Sequence, residues 1–584
     1  MLKTLHRPGG RWKVVHGGTG ETRADMSLPP FFNRAANKPS ISQRVSIVSA
    51  FTQVFSLFAI ISVVVSTARA QVSLSQPAAT AGTASIANGQ NQSDDSRSAD
   101  ASSQQKSTDG LSAVASLELA TIAAIEKAER SVVAIARVRR DQAPAVRAEQ
   151  LVIPGQFPFS DFSNWPENPD FIPSEFASGV VVSNDGMIVT CAHALDDPRR
   201  YNYYVWLDKR VYPANVVARP AKVMASDPYT DLAILKIDAT ELVPIEYGDA
   251  SQLRKGSFVV SLGNPYAIAR DGQASASWGI VANLQRTAPP LQQAESGLLA
   301  KESQHQFGTL IQTDARLNLG TSGGALVNLR GEMVGLTSSL AALSGFEQSA
   351  GYAIAVDDMF KRVVEALKSG HQPEFGFLGI QPEELRPQER QAGLNGARVS
   401  LVIPGLPGHQ AGLRNDDCIT EINSKPIRDR NGLFRELGQL PAGAEVELTV
   451  QRPRRGDALF APLRLKATLS KKYVSTSRPA YAIHAPEQWR GMLVEYITAV
   501  PGELVRGGPM PQRRTTAKLA ILSVEPDSAA WRAGVRAGHT ILTFNGARVA
   551  TPEEFYAQAA KIKGPARMQV YRDSDRLETV TIAP

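Results

Sequence analysis

The stretch from Leu310 to Leu336 reads LIQTDARLNLGTSGGALVNLRGEMVGL. It places Ser322 in a glycine-rich turn between two apolar runs. Glycines on both sides of a serine let the chain turn tightly enough for backbone N–H groups to converge beside the hydroxyl. A serine nucleophile needs such N–H groups, because they meet the negative charge that develops on the attacked carbonyl oxygen. A single glycine-rich turn is more often only a turn, so the hypothesis depends on partners elsewhere in the chain.

Two further sites supply those partners. His193 ends the sequence TCAH, directly after an apolar run, and Asp231 lies in DPYTDLAILKI at the start of another. Asp227, four residues before Asp231, is an alternative acid. A serine nucleophile needs a base to take its proton and an acid to orient that base. The chain order His, Asp, Ser is that of the chymotrypsin type and differs from the orders in subtilisin and the α/β-hydrolases.

Short β-type runs surround these three sites. They begin with SVVAIARV at 131–138 and end with YAIAV at 352–356, and turn signals separate them. Many short strands with few helices predict a mainly β barrel or sandwich region. Apolar residues spaced by three or four positions predict a helix just before it, from Leu119, and another after it, from Met359 to Leu367.

An internal repeat follows. The segments 408–427 and 528–549 share an Ala-Gly pair, a short turn, an apolar strand and a tight turn, and in each a helical segment and a β run come next. The repeat predicts two similar modules, at 375–470 and 485–584, with 471–484 as the linker between them.

The N-terminus has the features of a targeting segment. Residues 45–65 carry no charge, positive residues precede them, and Ala70 ends an A-x-A-like site. Residues 1–70 are therefore predicted to be a signal peptide cleaved after Ala70, or a retained membrane anchor. Met26 is an alternative start that shortens the leader. Residues 71–112 are rich in Ser, Ala, Gln and Asp, and we expect them to form a disordered linker.

Charge and composition exclude several classes of protein. The formal net charge is +7, but nine of the 63 basic residues and only two of the 56 acidic residues lie in 1–70. The rest of the chain is neutral, which argues against nucleic-acid binding. Two cysteines are too few for a disulfide-stapled fold or a four-cysteine zinc site. The sequence shows no metal-ligand cluster and no cofactor fingerprint, so we predict neither a metal nor a cofactor.

Together these motifs resemble the HtrA (Deg) family of trypsin-like serine proteases with PDZ domains. The matching stretches include SGVVVSNDGMIVTCAHAL, DPYTDLAILKI, the segment quoted first, and GYAIAV at 351–356. The resemblance implies a mainly β fold: a chymotrypsin-like double β-barrel at 113–370, followed by two PDZ domains. It implies that His193 is the general base, Asp231 its orienting acid and Ser322 the nucleophile, with an oxyanion hole formed by the N–H groups of Gly320 and Ser322. The loop 336–352 would wall the primary specificity pocket.

By the same resemblance the two modules bind peptide C-termini, with backbone N–H groups of a loop receiving the carboxylate. The implied peptide-binding residues are Leu378, Gly379 and Ile380 in the first module and Gly491, Met492 and Leu493 in the second. The second match is looser, and a role in packing or assembly is an equal alternative for that module.

The chain departs from the family pattern at Leu319 and Ala325, where the family often has Pro, and at two further residues near the site. Thr321 precedes the serine where the family usually has Asn, which tolerates positive φ better, so the shape of the oxyanion loop is open to change. Cys191, two residues before the base, is interpreted as a small buried hydrophobe and not as a reactive thiol.

The family implies an exported, ATP-independent endopeptidase of the periplasm or cell envelope that cleaves unfolded or damaged proteins. Its PDZ domains would regulate the active site, and the chain would form a homo-oligomer, commonly a trimer. The alternative is a catalytically silent PDZ scaffold or chaperone. The presence of all three triad residues favours the enzyme.

Overall fold

The structure is a computed structural model. It describes 95–140, 175–208, 210–212, 219–264, 272–287, 303–338, 351–452, 462–476, 478–504, 517–572 and 576–584. The expected signal or anchor at 1–70 and the first part of the expected linker, 71–94, lie outside these residues. Among the helices of the described part, none combines the length and apolarity needed to cross a bilayer.

The described chain opens with a long helix, α1 (Asp95–Glu129). Its last turns were predicted from the apolar spacing, and Ala124 and Ala128 are buried there. The helix also runs through 95–112, where we expected a disordered linker, so that expectation is wrong for these residues. The Ala, Gln and Ser of this segment are too small or too polar to build a hydrophobic core, but they are compatible with a helix. Once the first turn of a helix has formed, each further residue adds at low cost.

The first barrel follows α1 and has six antiparallel strands in the spatial order β5-β4-β1-β2-β3-β6, closed by pairing of β5 with β6. A short helix, α2 (Ala192–Leu195), continues from β3. The strands are β1 (Val132–Arg139), β2 (Glu175–Val181), β3 (Met187–Cys191), β4 (Tyr201–Trp206), β5 (Arg219–Asp227) and β6 (Leu232–Ile237).

The second barrel is closed in the order β10-β11-β12-β9-β8-β7, and the helix α3 (Asp358–Lys368) ends it. Its strands are β7 (Phe258–Gly263), β8 (Ser275–Arg286), β9 (Leu310–Thr313), β10 (Ala325–Val327), β11 (Met333–Ser338) and β12 (Gly351–Ala355). The two barrels confirm the predicted mainly β, chymotrypsin-like architecture.

The barrels form because their strands carry continuous apolar runs with small or branched side chains. Ile234 of β6 and Leu262 of β7 are fully buried in one core that both barrels share. The helix α3 covers this core with Phe360 and Val363, and its N-terminus is capped by the Asp357 side chain, which accepts from Phe360 N. One continuous hydrophobic core therefore holds the two barrels together.

Two modules of the same plan follow, each a five-strand sheet with a short side strand. The first contains β13 (Gly376–Phe377), β14 (Ile380–Glu383), α4 (Pro387–Gln391), β15 (Ala397–Val402), α5 (Pro407–Gln410), β16 (Cys418–Ile422), β17 (Lys425–Pro426), α6 (Arg430–Gly438), β18 (Glu445–Gln451), β19 (Pro462–Thr468) and β20 (Ser470–Lys471). The second contains β22 (Met492–Tyr496), β23 (Leu519–Val524), α7 (Ala529–Arg532), β24 (Thr540–Phe544), β25 (Ala547–Arg548), α8 (Pro552–Ala559), β26 (Ala566–Tyr571) and β27 (Leu577–Ile582). Each has its own core.

The linker between the modules is not only a spacer. Its short strand β21 (Tyr481–Ala482) pairs with Ala225 and Ser226 of β5, and so adds a seventh strand to the first barrel's sheet. The linker therefore returns to the barrel whose strand β5 leads into the turn that carries Asp231.

Candidate active site

Ser322 lies in the turn between β9 and β10. Gly320 and Gly323 have φ angles of +97° and +85°, which side chains rarely adopt. There is no room for side chains either: a Cβ on Gly320 would lie 2.5 Å from the Phe176 ring, and one on Gly323 would lie 2.2 Å from Ser178 O. The glycines are therefore required both for the shape of the turn and for its close approach to β2.

Thr321 fits this turn without strain. The positive φ angles fall on the glycines beside it, and Thr321 is not among the residues with positive φ. Its hydroxyl donates to Asn318 O over 2.7 Å, and its carbonyl accepts from Thr337 Oγ1. The expectation that Thr in place of Asn alters the loop through φ therefore does not apply to this conformation.

Ser178 of β2 holds the turn from the other barrel. Its N–H donates to Ser322 O over 2.9 Å, its hydroxyl donates to Gly320 O over 2.7 Å, and it accepts from Asn264 N. The Ser178 side chain is completely buried. Sequence reasoning missed this residue, because one small polar residue in an apolar strand gives no signal of its own.

His193 lies on α2, and its ring contacts both predicted partners. Nδ1 is 2.6 Å from Asp231 Oδ2, and Nε2 is 3.1 Å from Ser322 Oγ. A carboxylate can only accept, so Nδ1 carries the hydrogen and Nε2 is left to accept from the serine hydroxyl. The structure thus brings the three residues together in the order that activation of a serine requires.

Asp231 follows β5 and has a φ of +59°. Its two oxygens are both used: Oδ2 meets the ring of His193, and Oδ1 accepts from His193 N over 2.8 Å. Burial acts to raise the pKa of Asp231, but the charge and hydrogen bonds of His193 outweigh it and lower that pKa. The carboxylate is therefore kept ionised beside the imidazole.

Asp227, the alternative acid, has a different place. Its carboxylate faces its own turn and accepts from Tyr229 N, from Thr230 N and from Thr230 Oγ1, the last over 2.7 Å. Burial raises the pKa of Asp227 to about 6. Asp227 therefore anchors the turn that presents Asp231 and does not contact His193 through any of these bonds.

Cys191 is fully buried, and its thiol donates to Thr337 O over 3.4 Å. Burial raises the pKa of this thiol well above its ordinary value, which disfavours the thiolate. Among the described residues, Cys191, His193 and Asp231 form a group of potential metal-ligand atoms within 4.8 Å of one another. Because His193 and Asp231 already bond to each other and the thiol is held protonated, these atoms are poorly suited to a metal.

The residues that are expected to receive a peptide carboxylate in the first module lie beside an apolar groove. Gly379 has a φ of +76°, Leu378 is buried and Ile380 begins β14. The groove between β14 and α6 is lined by Ile380, Pro382, Phe434 and Leu437, and it extends to Tyr229 of the first barrel. This is the arrangement in which an extended peptide adds to a strand edge.

In the second module, the corresponding strand edge is hydrogen-bonded within the module itself. Gly491 has a φ of +79° and Met492 begins β22, as in the first module. The N–H and C=O of Met492 are both bonded to Trp489, and Val494 N donates to the hydroxyl of Tyr556 on α8 over 2.9 Å. The strand edge that a peptide would use is therefore occupied.

One part of the predicted site, 339–350 of the loop 336–352, lies outside the described residues.

Two family models match parts of this chain. The family model of the trypsin-like peptidase domain matches 177–336, and that of the PDZ domain matches 398–452 and 521–571. A probable periplasmic serine endoprotease, DegP-like, from Chlamydia trachomatis serovar D is 30% identical over 391 residues, which are 66% of this chain and 70% of the relative. The periplasmic serine endoprotease DegP of Salmonella typhimurium is 30% identical over 374 residues, 63% of this chain and 68% of the relative. Among solved structures, an HtrA-type protease, AlgW with tripeptide, is 23% identical with a TM-score of 0.41, covering 60% of this chain and 97% of that one.

Proposed function

The chain belongs to the HtrA (Deg) family of serine endoproteases with PDZ domains, and we propose that it hydrolyses peptide bonds with Ser322 as the nucleophile. His193 is the general base and Asp231 holds its ring. The observation that carries this proposal is the chain of contacts from Asp231 Oδ2 through the His193 ring to Ser322 Oγ, 2.6 and 3.1 Å long.

The chemistry follows from these contacts. As the Ser322 oxygen attacks the substrate carbonyl, its proton moves to Nε2 of His193, and the ionised Asp231 stabilises the imidazolium that forms. The N–H groups of Gly320 and Ser322 would then receive the oxyanion. His193 returns the proton to the leaving amine, and water repeats the sequence on the acyl-enzyme.

The proposed substrates are unfolded or damaged proteins of the cell envelope. Two observations support this: the relatives reported above are named periplasmic, and the chain after residue 70 is neutral behind a basic, apolar leader. A cleft between barrels accepts an extended segment, which unfolded chains offer and folded ones seldom do.

We assign peptide capture to the first PDZ module. Its groove contacts the protease domain directly, since Phe434 of α6 stacks on Phe307 with ring centroids 4.5 Å apart, and Arg435 donates to Phe307 O over 3.1 Å. A peptide in this groove would therefore press against side chains that touch the protease domain, which supports a regulatory role. The second module, with its edge occupied by Trp489 and Tyr556, is better suited to packing than to binding.

The chain is proposed to act as a homo-oligomer. Large apolar side chains are exposed on the second barrel, where Phe258 and Trp278 stack with 4.7 Å between ring centroids. Leu111, Val114 and Leu119 are exposed on α1. Exposed apolar groups of this size are typical of surfaces that another subunit covers.

Cleavage of unfolded casein by the full chain tests the proposed activity. The triad acts as a unit, so Ser322→Ala should lower the rate by roughly 10⁴-fold or more. The control is Ser261→Ala, which alters an equally buried serine in β7 and should leave cleavage intact. Cleavage that persists in Ser322→Ala, or a wild-type chain that cleaves nothing, would contradict the proposal.

A further inference from the structure

The turn that carries Asp231 is held from two sides. On its inner side the Asp227 carboxylate accepts from the backbone and hydroxyl of Thr230. On its outer side the segment 303–309, which precedes β9 of the second barrel, donates to the carbonyls of the same turn. Gln304 N donates to Tyr229 O over 2.9 Å, and the ring of His305 meets Thr230 O.

His305 is built into this contact. It is 3% exposed, and both ring nitrogens have partners: Nε2 is 3.1 Å from Thr230 O, and Nδ1 is 2.8 Å from Thr309 Oγ1. A carbonyl oxygen only accepts, so Nε2 must carry a hydrogen, and Nδ1 of the neutral ring then accepts from the Thr309 hydroxyl. Burial lowers the pKa of His305, and this favours the same neutral form.

The turn is strained at Asp231, the residue that contacts His193. Asp231 adopts a left-handed conformation, φ +59°, which costs a residue other than glycine free energy and persists only where its surroundings enforce it. In this conformation Asp231 Oδ1 and Oδ2 reach the backbone and the ring of His193 together. A small rotation of the Thr230 peptide would break this double contact.

We propose that His305 is a positioning residue for the reaction: by donating to Thr230 O, it holds Asp231 in the conformation that orients His193. This inference rests on the proposed serine-protease function. His305 does not touch the serine or the substrate; it acts through the Asp231 turn of the first barrel from a segment of the second. The alignment of the triad therefore depends on a contact between barrels.

The experiment measures kcat and KM for a chromogenic peptide substrate in the full chain. His305→Ala removes the donor, and we expect kcat to fall about 10-fold with KM changed less than about 2-fold. His305→Gln places an amide N–H near the position of Nε2 and should restore most of kcat. The control is His539→Ala, a histidine buried to 4% exposure in the second module, which should leave kcat unchanged.

Several outcomes would overturn the inference. His305→Ala with wild-type kcat would do so, as would His305→Gln that is no better than His305→Ala, or a KM that rises as kcat falls. If His305→Ala does not fold, Thr309→Val tests the same contact by removing the partner of Nδ1, and an unchanged kcat there also counts against it. An inactive wild-type chain contradicts the proposed function itself and so is distinguishable from failure of this inference.

Discussion

At the scale of single residues, the active-site turn has no room for a side chain at its glycines. A Cβ on Gly324 would lie 2.3 Å from Leu262 O, and those on Gly320 and Gly323 would meet Phe176 and Ser178 equally closely. Backbone atoms cannot move aside as the end of a long side chain can. The turn therefore transmits any change at these glycines directly to Ser322.

Gly323→Ala tests this point, with Gly256→Ala as its matched control. The two glycines have nearly the same φ, +85° and +88°, but a Cβ on Gly256 would meet nothing within 4 Å. Gly256→Ala should cost about 1 to 2 kcal/mol of unfolding free energy from backbone strain alone. Gly323→Ala should cost about 2 kcal/mol more, from overpacking, and should lower casein cleavage roughly 100-fold.

Denaturant unfolding and the cleavage rate check both values. Equal losses of stability in the two variants, with activity retained in Gly323→Ala, would show that the close approach to Ser178 is not needed.

The sequence identifies the residues of this site that are proposed to react, but it does not identify the residues that position them. His193, Asp231 and Ser322 stand out because each has a distinctive residue type beside an apolar run. Ser178 and His305 do not, since their roles depend on contacts 142 and 75 residues away in the chain. The residues alone do not decide between Asp227 and Asp231, because both precede the same strand. The family resemblance implies Asp231, and the structure places that carboxylate against the His193 ring.

At the scale of elements, the two PDZ modules share a fold but differ at one strand edge. The repeat in the sequence predicts both sheets and their helices. It does not show that Tyr556 of α8 reaches Val494 of β22, because a tyrosine on that helix could equally face solvent. The first helix is a second case: composition indicated disorder for 95–112, whereas the structure continues α1 through it.

Hydrogen exchange followed by mass spectrometry tests the difference between the modules. A peptide ending in an apolar residue should slow exchange in 376–383, where β14 would receive it, and leave 492–496 unchanged. Tyr556→Phe removes the acceptor for Val494 N and should speed exchange in 492–496 roughly 10-fold.

The opposite pattern, with the peptide protecting 492–496 in the wild-type chain, would contradict assignment of peptide capture to the first module. Gly379→Ala is a useful further control, because a Cβ there would lie 2.4 Å from Leu406 Cβ. This variant should remove the peptide's protection of 376–383 and leave exchange elsewhere unchanged.

At the scale of the whole molecule, the site exists only where the two barrels meet. His193 and Asp231 belong to the first barrel, whereas Ser322 belongs to the second, and contacts of Ser178 and His305 cross between them. The shared hydrophobic core holds the barrels together, and the linker strand β21 ties the C-terminal modules back to the first barrel. The order of apolar runs predicts such barrels, but their mutual placement comes from packing that no short motif encodes.

The proposed function requires Ser322 to be an activated nucleophile. The most direct test is to label the full chain with a biotinylated fluorophosphonate, digest it and locate the label by mass spectrometry. We predict a single label on the peptide that contains Ser322, formed roughly 10⁴-fold more slowly in His193→Ala. A label on another serine, or equal labelling of wild type and His193→Ala, would contradict the assignment of Ser322 as the nucleophile.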